Sequence, residues 1–173
     1  MAKFILGGGC FWCLDSAYVQ FRGVNEVTCG YTGGHKENPT YEQVCNTNTG
    51  HAEVVEIDFD ESVITSEQIL DIFFTVHDPT QLNRQGHDIG TQYRSAMYYQ
   101  DHEQKELFEA AIERAKEIWG NSIVTEMTEL EKFWVAEEYH QDFFAKNPSQ
   151  GYCLAVVAPK VAKVRAKFTE LTK

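Results

Sequence analysis

The chain has 173 residues, 43% hydrophobic and 24% charged, which are ordinary globular proportions and long enough for one domain with a real core. A net charge of -11 argues against nucleic acid or an anionic membrane surface as the main partner, and no apolar run is long enough to span a bilayer. No signal-peptide pattern is present and five cysteines are too few for a disulfide framework, so a reducing cytoplasm is expected.

The first predicted element is a short strand over Phe4-Ile5-Leu6, followed by Gly7-Gly8-Gly9 and Cys10. A helix is predicted from Phe11 to about Gln20, which puts the Cys10 thiol at a helix N-terminus. Free backbone N–H groups and the helix dipole there favour thiolate over thiol. Phe11 and Trp12 would make the surroundings apolar, and the glycines allow close backbone approach. Cys10 is thus a candidate nucleophile; the plainer reading is a buried structural cysteine. Val24 to Tyr31 reads as a strand ended by Thr32-Gly33-Gly34.

In the strand predicted over Glu53 to Asp60, Glu53 shares a side with Val55, Ile57 and Phe59, opposite Glu56, Asp58 and Asp60. If Glu53 points inward, desolvation raises its pKa and suits it to general-acid work. If the strand frays there, it faces water. Thr65 with Gln68 forms a capping box for a helix whose stripe is Ile69, Ile72, Phe73 and Val76. A second helix is predicted from His102 to Trp119 with Gly120 as its stop, and a shorter one within Glu131 to Lys146. Cys153 follows the turn-rich Asn147-Pro148-Ser149-Gln150-Gly151-Tyr152. It is either a thiol on a movable loop or the start of the apolar run Leu154-Ala155-Val156-Val157. Two further segments, Pro39 to Cys45 and Gly86 to Ser95, supply Tyr41, Tyr93, His87 and Asp88 beside Thr49-Gly50-His51-Ala52-Glu53. Tyrosine hydroxyls could donate hydrogen bonds to an oxygen in a pocket.

Taken together, Gly9-Cys10-Phe11-Trp12, Gly30-Tyr31-Thr32-Gly33-Gly34, Pro39-Thr40-Tyr41, Thr49-Gly50-His51-Ala52-Glu53, Asp88-Ile89-Gly90-Thr91-Gln92-Tyr93-Arg94-Ser95 and Gly151-Tyr152-Cys153 resemble the peptide methionine sulfoxide reductase family of the A type. The resemblance runs in order over nearly the whole chain. It implies an α+β fold, a two-layer α/β sandwich with a mixed sheet, as a ferredoxin-like plait elaborated by extra helices and loops. Residues 1–173 would form a single catalytic domain.

The resemblance further implies Cys10 as nucleophile, Phe11 and Trp12 around the substrate methyl group, and Glu53, Tyr41 and Tyr93 around the sulfoxide oxygen, with Asp88 in support. Cys153 matches the recycling cysteine. The implied activity is reduction of methionine S-sulfoxide, free or in proteins, through a Cys10 sulfenic acid and a disulfide reduced by thioredoxin. No cofactor and no metal are expected, and the chain is expected to be a monomer.

One position departs from the family's common pattern: Cys13 stands where a glycine often follows Phe-Trp. It is a spectator or an alternative recycling thiol, since C-x-x-C at a helix start is a redox geometry. Cys29 and Cys45 are read as structural. Two competing classes remain at this level. A thioredoxin-like oxidoreductase would use Cys10 and Cys13 directly, and a metal-binding or redox-sensing module would rest on the cysteines.

Overall fold

Strand β1 (Ala2–Gly7) alternates Phe4 and Leu6 with Ile5, and all three are buried, so both faces of the sheet it enters are covered. A computed structural model describes residues 1–173. After β1 come helix α1 (Phe11–Tyr18), β2 (Val24–Thr32), α2 (Tyr41–Asn46), β3 (Ala52–Phe59) and α3 (Ser66–Val76). A two-residue hairpin, β4 (Arg84–Gln85) with β5 (Asp88–Ile89), precedes β6 (Ala96–Tyr99) and α4 (His102–Trp119). The chain closes with β7 (Glu126–Glu129), β8 (Trp134–Val135), α5 (Phe143–Lys146) and α6 (Ala158–Lys167).

Six strands form one sheet in the order β7-β6-β1-β3-β2-β8. The β6–β7 pair is parallel and the other pairings are antiparallel, so the sheet is mixed and the fold is α+β. Helix α1 carries the chain from β1 across to β2, with β3 inserted between those strands. Helix α3 likewise links β3 to β6 across β1.

The main core lies between the sheet and its helices. It joins Phe4, Leu6, Val55, Ile57 and Phe59 to Leu14, Phe73 and Phe108. A smaller cluster of Ile5, Ala52, Val54, Ala96 and Tyr98, packed under Leu130 and Phe133, covers the opposite face. The alternation of β3 reveals its helix-side residues but not this second core, because Ala52 and Val54 are buried by a distant irregular segment. No helix is long and apolar enough to cross a membrane.

Helix starts follow local chemistry. Thr65 and Gln68 form the expected capping box on α3, and Thr40 with Gln43 forms a second one on α2. Helix α4 runs from His102 to Trp119, with Gly120 at φ 72 as its stop. The helix expected within 131–146 is reduced to a 3-10 turn at Glu138–His140 and the four-residue α5. The earlier part of that stretch runs extended to pair β8 with β2. Cys153–Val157 are neither loop nor strand but a π-helical stretch entering α6, in which the Ala158 N–H reaches the Cys153 carbonyl.

Candidate active site

Three consecutive glycines bring the chain to Cys10 through a space that side chains would block. A Cβ at Gly7 would meet the Glu53 carbonyl at 2.9 Å, and one at Gly8 would meet the His77 ring at 2.9 Å. Gly9 has φ +86, and its N–H donates to the Tyr93 carbonyl at 3.2 Å. Cys10 is the N-cap of α1, at the edge of the main core.

Inside this wall, β3 presents Glu53, directly opposite Tyr31 on β2. The side chain is 1% exposed, so it points inward and not into water. One oxygen, Oε1, accepts the Phe11 N–H at 3.2 Å; Oε2 is buried without a partner. The first amide of α1 therefore serves Glu53 rather than the Cys10 sulfur. Burial pushes the Glu53 carboxyl up to about 8, with Asp88 adding to the rise and the Phe11 N–H opposing it.

The expected thiolate at Cys10 is not what its surroundings favour. Burial holds the thiol well above its ordinary pKa, and the charges of Glu53 and Cys13 push the same way. The Trp12 backbone N–H lowers it, but that help is outweighed. A helix N-terminus favours an anion only where desolvation does not cost more.

Tyr41 and Tyr93 approach from the other side. Tyr41 opens α2, and its main-chain N–H donates to Glu137 Oε2 at 2.8 Å. Tyr31 donates its hydroxyl to the other oxygen of Glu137 at 2.9 Å. Tyr93 ends the short turn Thr91–Tyr93. Burial, followed by the charge of Glu53, raises the pKa of both Tyr41 and Tyr93, so both keep their protons as donors. Cys45, read from sequence as structural, is only partly buried here, and burial raises the pKa of its thiol.

Aromatic rings close the remaining side. Phe11 is buried against His140, Tyr31 and Tyr41, with centroids at 4.9, 5.7 and 6.4 Å. Trp12 lies flat on Phe143, at 3.7 Å and 4° between planes, and its Nε1–H donates to His140 Nδ1 at 3.0 Å. Asp88 accepts a hydrogen bond from the Tyr152 hydroxyl, while the Tyr152 ring meets Trp12 edge-on at 5.8 Å.

All five cysteines are free thiols. Cys13 is 1% exposed, and burial pushes it up to about 11, with the Lys160 ammonium opposing the rise. Cys153 is fully buried, which decides between the two readings left open for it: the thiol belongs to the core in this state. Glu137, His140 and Tyr152 complete the surroundings although sequence reasoning gave them no role. Glu137 and His140 fall in the stretch expected to hold a short helix and Tyr152 in the turn-rich segment before Cys153, and neither reading marks which side chains meet the site.

The family model described as "Peptide methionine sulfoxide reductase" matches residues 2–172. Peptide methionine sulfoxide reductase MsrA of Paenarthrobacter aurescens is 57% identical over 169 residues, covering 98% of this chain and 97% of that protein. The protein of the same name from Clavibacter michiganensis is 56% identical over 173 residues, covering 100% and 99%. Among solved structures, reduced Mxr1 from Saccharomyces cerevisiae superposes with a TM-score of 0.83 at 33% identity, over 88% of each chain. Methionine sulfoxide reductase A of Corynebacterium diphtheriae gives 0.76 at 32%, covering 86% of this chain and 76% of that one.

Proposed function

The chain belongs to the peptide methionine sulfoxide reductase family, and on that premise we propose that Cys10 takes the oxygen of methionine S-sulfoxide, free or within proteins, and releases methionine. The observation that carries this reading is Glu53. A buried carboxyl with one unpartnered oxygen and a pKa raised to about 8 holds a proton at neutral pH beside a thiol.

A sulfoxide sulfur is a poor electrophile until its oxygen is protonated or strongly hydrogen-bonded. Glu53 donates its proton to that oxygen, and the Tyr41 and Tyr93 hydroxyls donate hydrogen bonds to it. The Cys10 sulfur attacks, its own proton passes to the Glu53 carboxylate, and the hydroxyl ends on Cys10 as a sulfenic acid. The methyl group rests against Phe11 and Trp12. Asp88 supports the polar side of the site.

Cys153 then condenses with the sulfenic acid, forming a Cys10–Cys153 disulfide and water. Thioredoxin, the reductant that the family resemblance implies, returns both thiols by exchange. Cys153 is buried in the reduced protein, so this step requires the start of the π-helical stretch to open. Cys13 remains an alternative partner, being one helical turn from Cys10. The whole chain acts as one catalytic unit, in the cytoplasm.

Turnover of each sulfoxide epimer by the native chain and by Cys10→Ser tests the reading. The S epimer is expected to react and the R epimer not, and Cys10→Ser is expected to be inactive. Retained activity in Cys10→Ser would overturn it.

A further inference from the structure

Of the 26 acidic side chains, two are buried below a tenth of their surface, Glu53 and Asp15. The reaction as described uses only the first. Asp15 lies on α1, three residues after Trp12, and is 1% exposed. Burying a carboxyl there costs free energy that a leucine would not, so its contacts need a reason.

Those contacts lead to one place. Asp15 Oδ2 accepts the main-chain N–H of Asp142 at 2.9 Å and the Cys29 thiol at 3.7 Å; Oδ1 is buried without a partner. Asp142 sits at φ 54, a left-handed conformation uncommon for residues other than glycine, which Asp tolerates better than most. The residue before it is fastened as well. The Gln141 side chain accepts the Cys29 N–H at 2.8 Å and donates to the Cys29 carbonyl at 3.1 Å. The residue after it is Phe143, the ring that lies flat on Trp12.

We infer that Asp15 is a positioning residue for substrate recognition: by holding the Asp142 turn, it sets Phe143 against Trp12 and so fixes the indole that lines the methyl side of the site. The inference rests on the proposed reading of Trp12 as a substrate contact. Trp12 and Asp15 leave α1 one turn apart, so the helix and the irregular 138–143 segment are joined at two points. His140 holds the edge of the indole, and Phe143, set by Asp15, covers its face. A pocket that discriminates on the scale of one methylene needs such a wall to be fixed, because a rotating indole admits a larger group at little cost. Burial raises the Asp15 pKa to about 7, which marks how far this carboxyl is removed from water.

The test compares Asp15→Ala, Asp15→Asn and Phe143→Leu with the native chain. Selectivity between methyl and ethyl S-sulfoxides is read by single turnover, and the Trp12 indole N–H signal is followed by NMR, assigned through its loss in Trp12→Phe. Asp15→Ala and Phe143→Leu are expected to shift the Trp12 signal and to lower methyl-over-ethyl selectivity about tenfold. Asp15→Asn, which keeps an oxygen for the Asp142 N–H, is expected to preserve both. A folded Asp15→Ala with native signal and native selectivity overturns the inference, as does Asp15→Asn failing like Asp15→Ala. If Asp15→Ala does not fold, Phe143→Leu with unchanged selectivity overturns it equally. Failure of the native chain to reduce either sulfoxide would instead sink the proposed activity, while the indole signal still reports on the contact itself.

Discussion

The Tyr152 hydroxyl donates to the Asp88 carboxylate, joining the helical segment that carries Cys153 to the loop that leads to Tyr93. This contact ties the resting place of Cys153, the proposed recycling thiol, to the polar side of the candidate site. Hydrogen bonds to a charged group contribute about 1.5–3 kcal/mol. Removing this one should loosen the start of the π-helical stretch. Tyr152→Phe is therefore expected to raise the alkylation rate of Cys153 about tenfold, read by peptide mass spectrometry after timed exposure to iodoacetamide. An unchanged Cys153 rate would show that other contacts keep the segment closed.

Glu53→Gln should move two reactivities of Cys10 in opposite directions. The variant has no proton to give, so single-turnover sulfoxide reduction is expected to slow by a factor of about 100 or more. The same substitution removes a negative charge that raises the Cys10 pKa, second only to burial in its effect. At pH 9, above the Glu53 value of about 8 where the native carboxyl is ionised, Cys10 should then react faster with iodoacetamide than in the native chain. Loss of both reactivities together would point to a displaced Cys10 instead of a missing acid.

Much of this site could be read before any coordinates, and the limits of that reading are physical. Glu53 was legible in orientation because a strand alternates its faces, and Val55, Ile57 and Phe59 mark the inner one. Its burial was not, since strand ends fray unless something holds them, here the Phe11 N–H. The Thr65–Gln68 capping box and the Gly120 stop are local signals and are found in the fold. Glu137, His140 and Phe143 had no legible role because their stretch was read as a short helix, which it is only in part. It is held by single contacts to distant residues, Gln141 to Cys29 and Asp142 to Asp15. Sequence reasoning also favoured thiolate at Cys10 from the helix terminus alone, without the desolvation that a closed aromatic site imposes.

Stability should fall as pH rises through the neutral range. Burial raises Glu53 from 4.5 to about 8 and Asp15 from 3.8 to about 7. Below the unfolded values both states hold these protons and no penalty arises. Between the unfolded and folded values, the unfolded chain releases protons that the native chain keeps, so unfolding gains with each step in pH. The loss is complete once pH passes about 8, the folded value of Glu53. Glu53→Gln is expected to flatten this decline and to be more stable than the native chain at pH 9, by on the order of a few kcal/mol. Urea midpoints from pH 5 to 9 measure it; parallel curves for the two proteins would refute the burial assigned to Glu53.

Gly9→Ala should damage both stability and chemistry, and a second glycine separates the causes. Gly9 and Gly120 both have positive φ, +86 and +72. An added Cβ at Gly120 meets nothing within 4 Å, so Gly120→Ala carries conformational strain alone, about 1–2 kcal/mol. At Gly9 the Cβ would meet Gln85 Cγ at 2.9 Å. Gln85 cannot swing aside freely, because its amide accepts the Asp78 N–H at 3.0 Å and donates to the Asp78 carbonyl at 2.9 Å. The strain at Gly9 must then be relieved by moving the backbone that carries Cys10. Gly9→Ala is expected to lose stability beyond the Gly120→Ala value and to slow single-turnover reduction at least about tenfold. Gly120→Ala should keep its rate. Equal rates in the two variants would mean that the glycine turn does not set the position of the Cys10 sulfur.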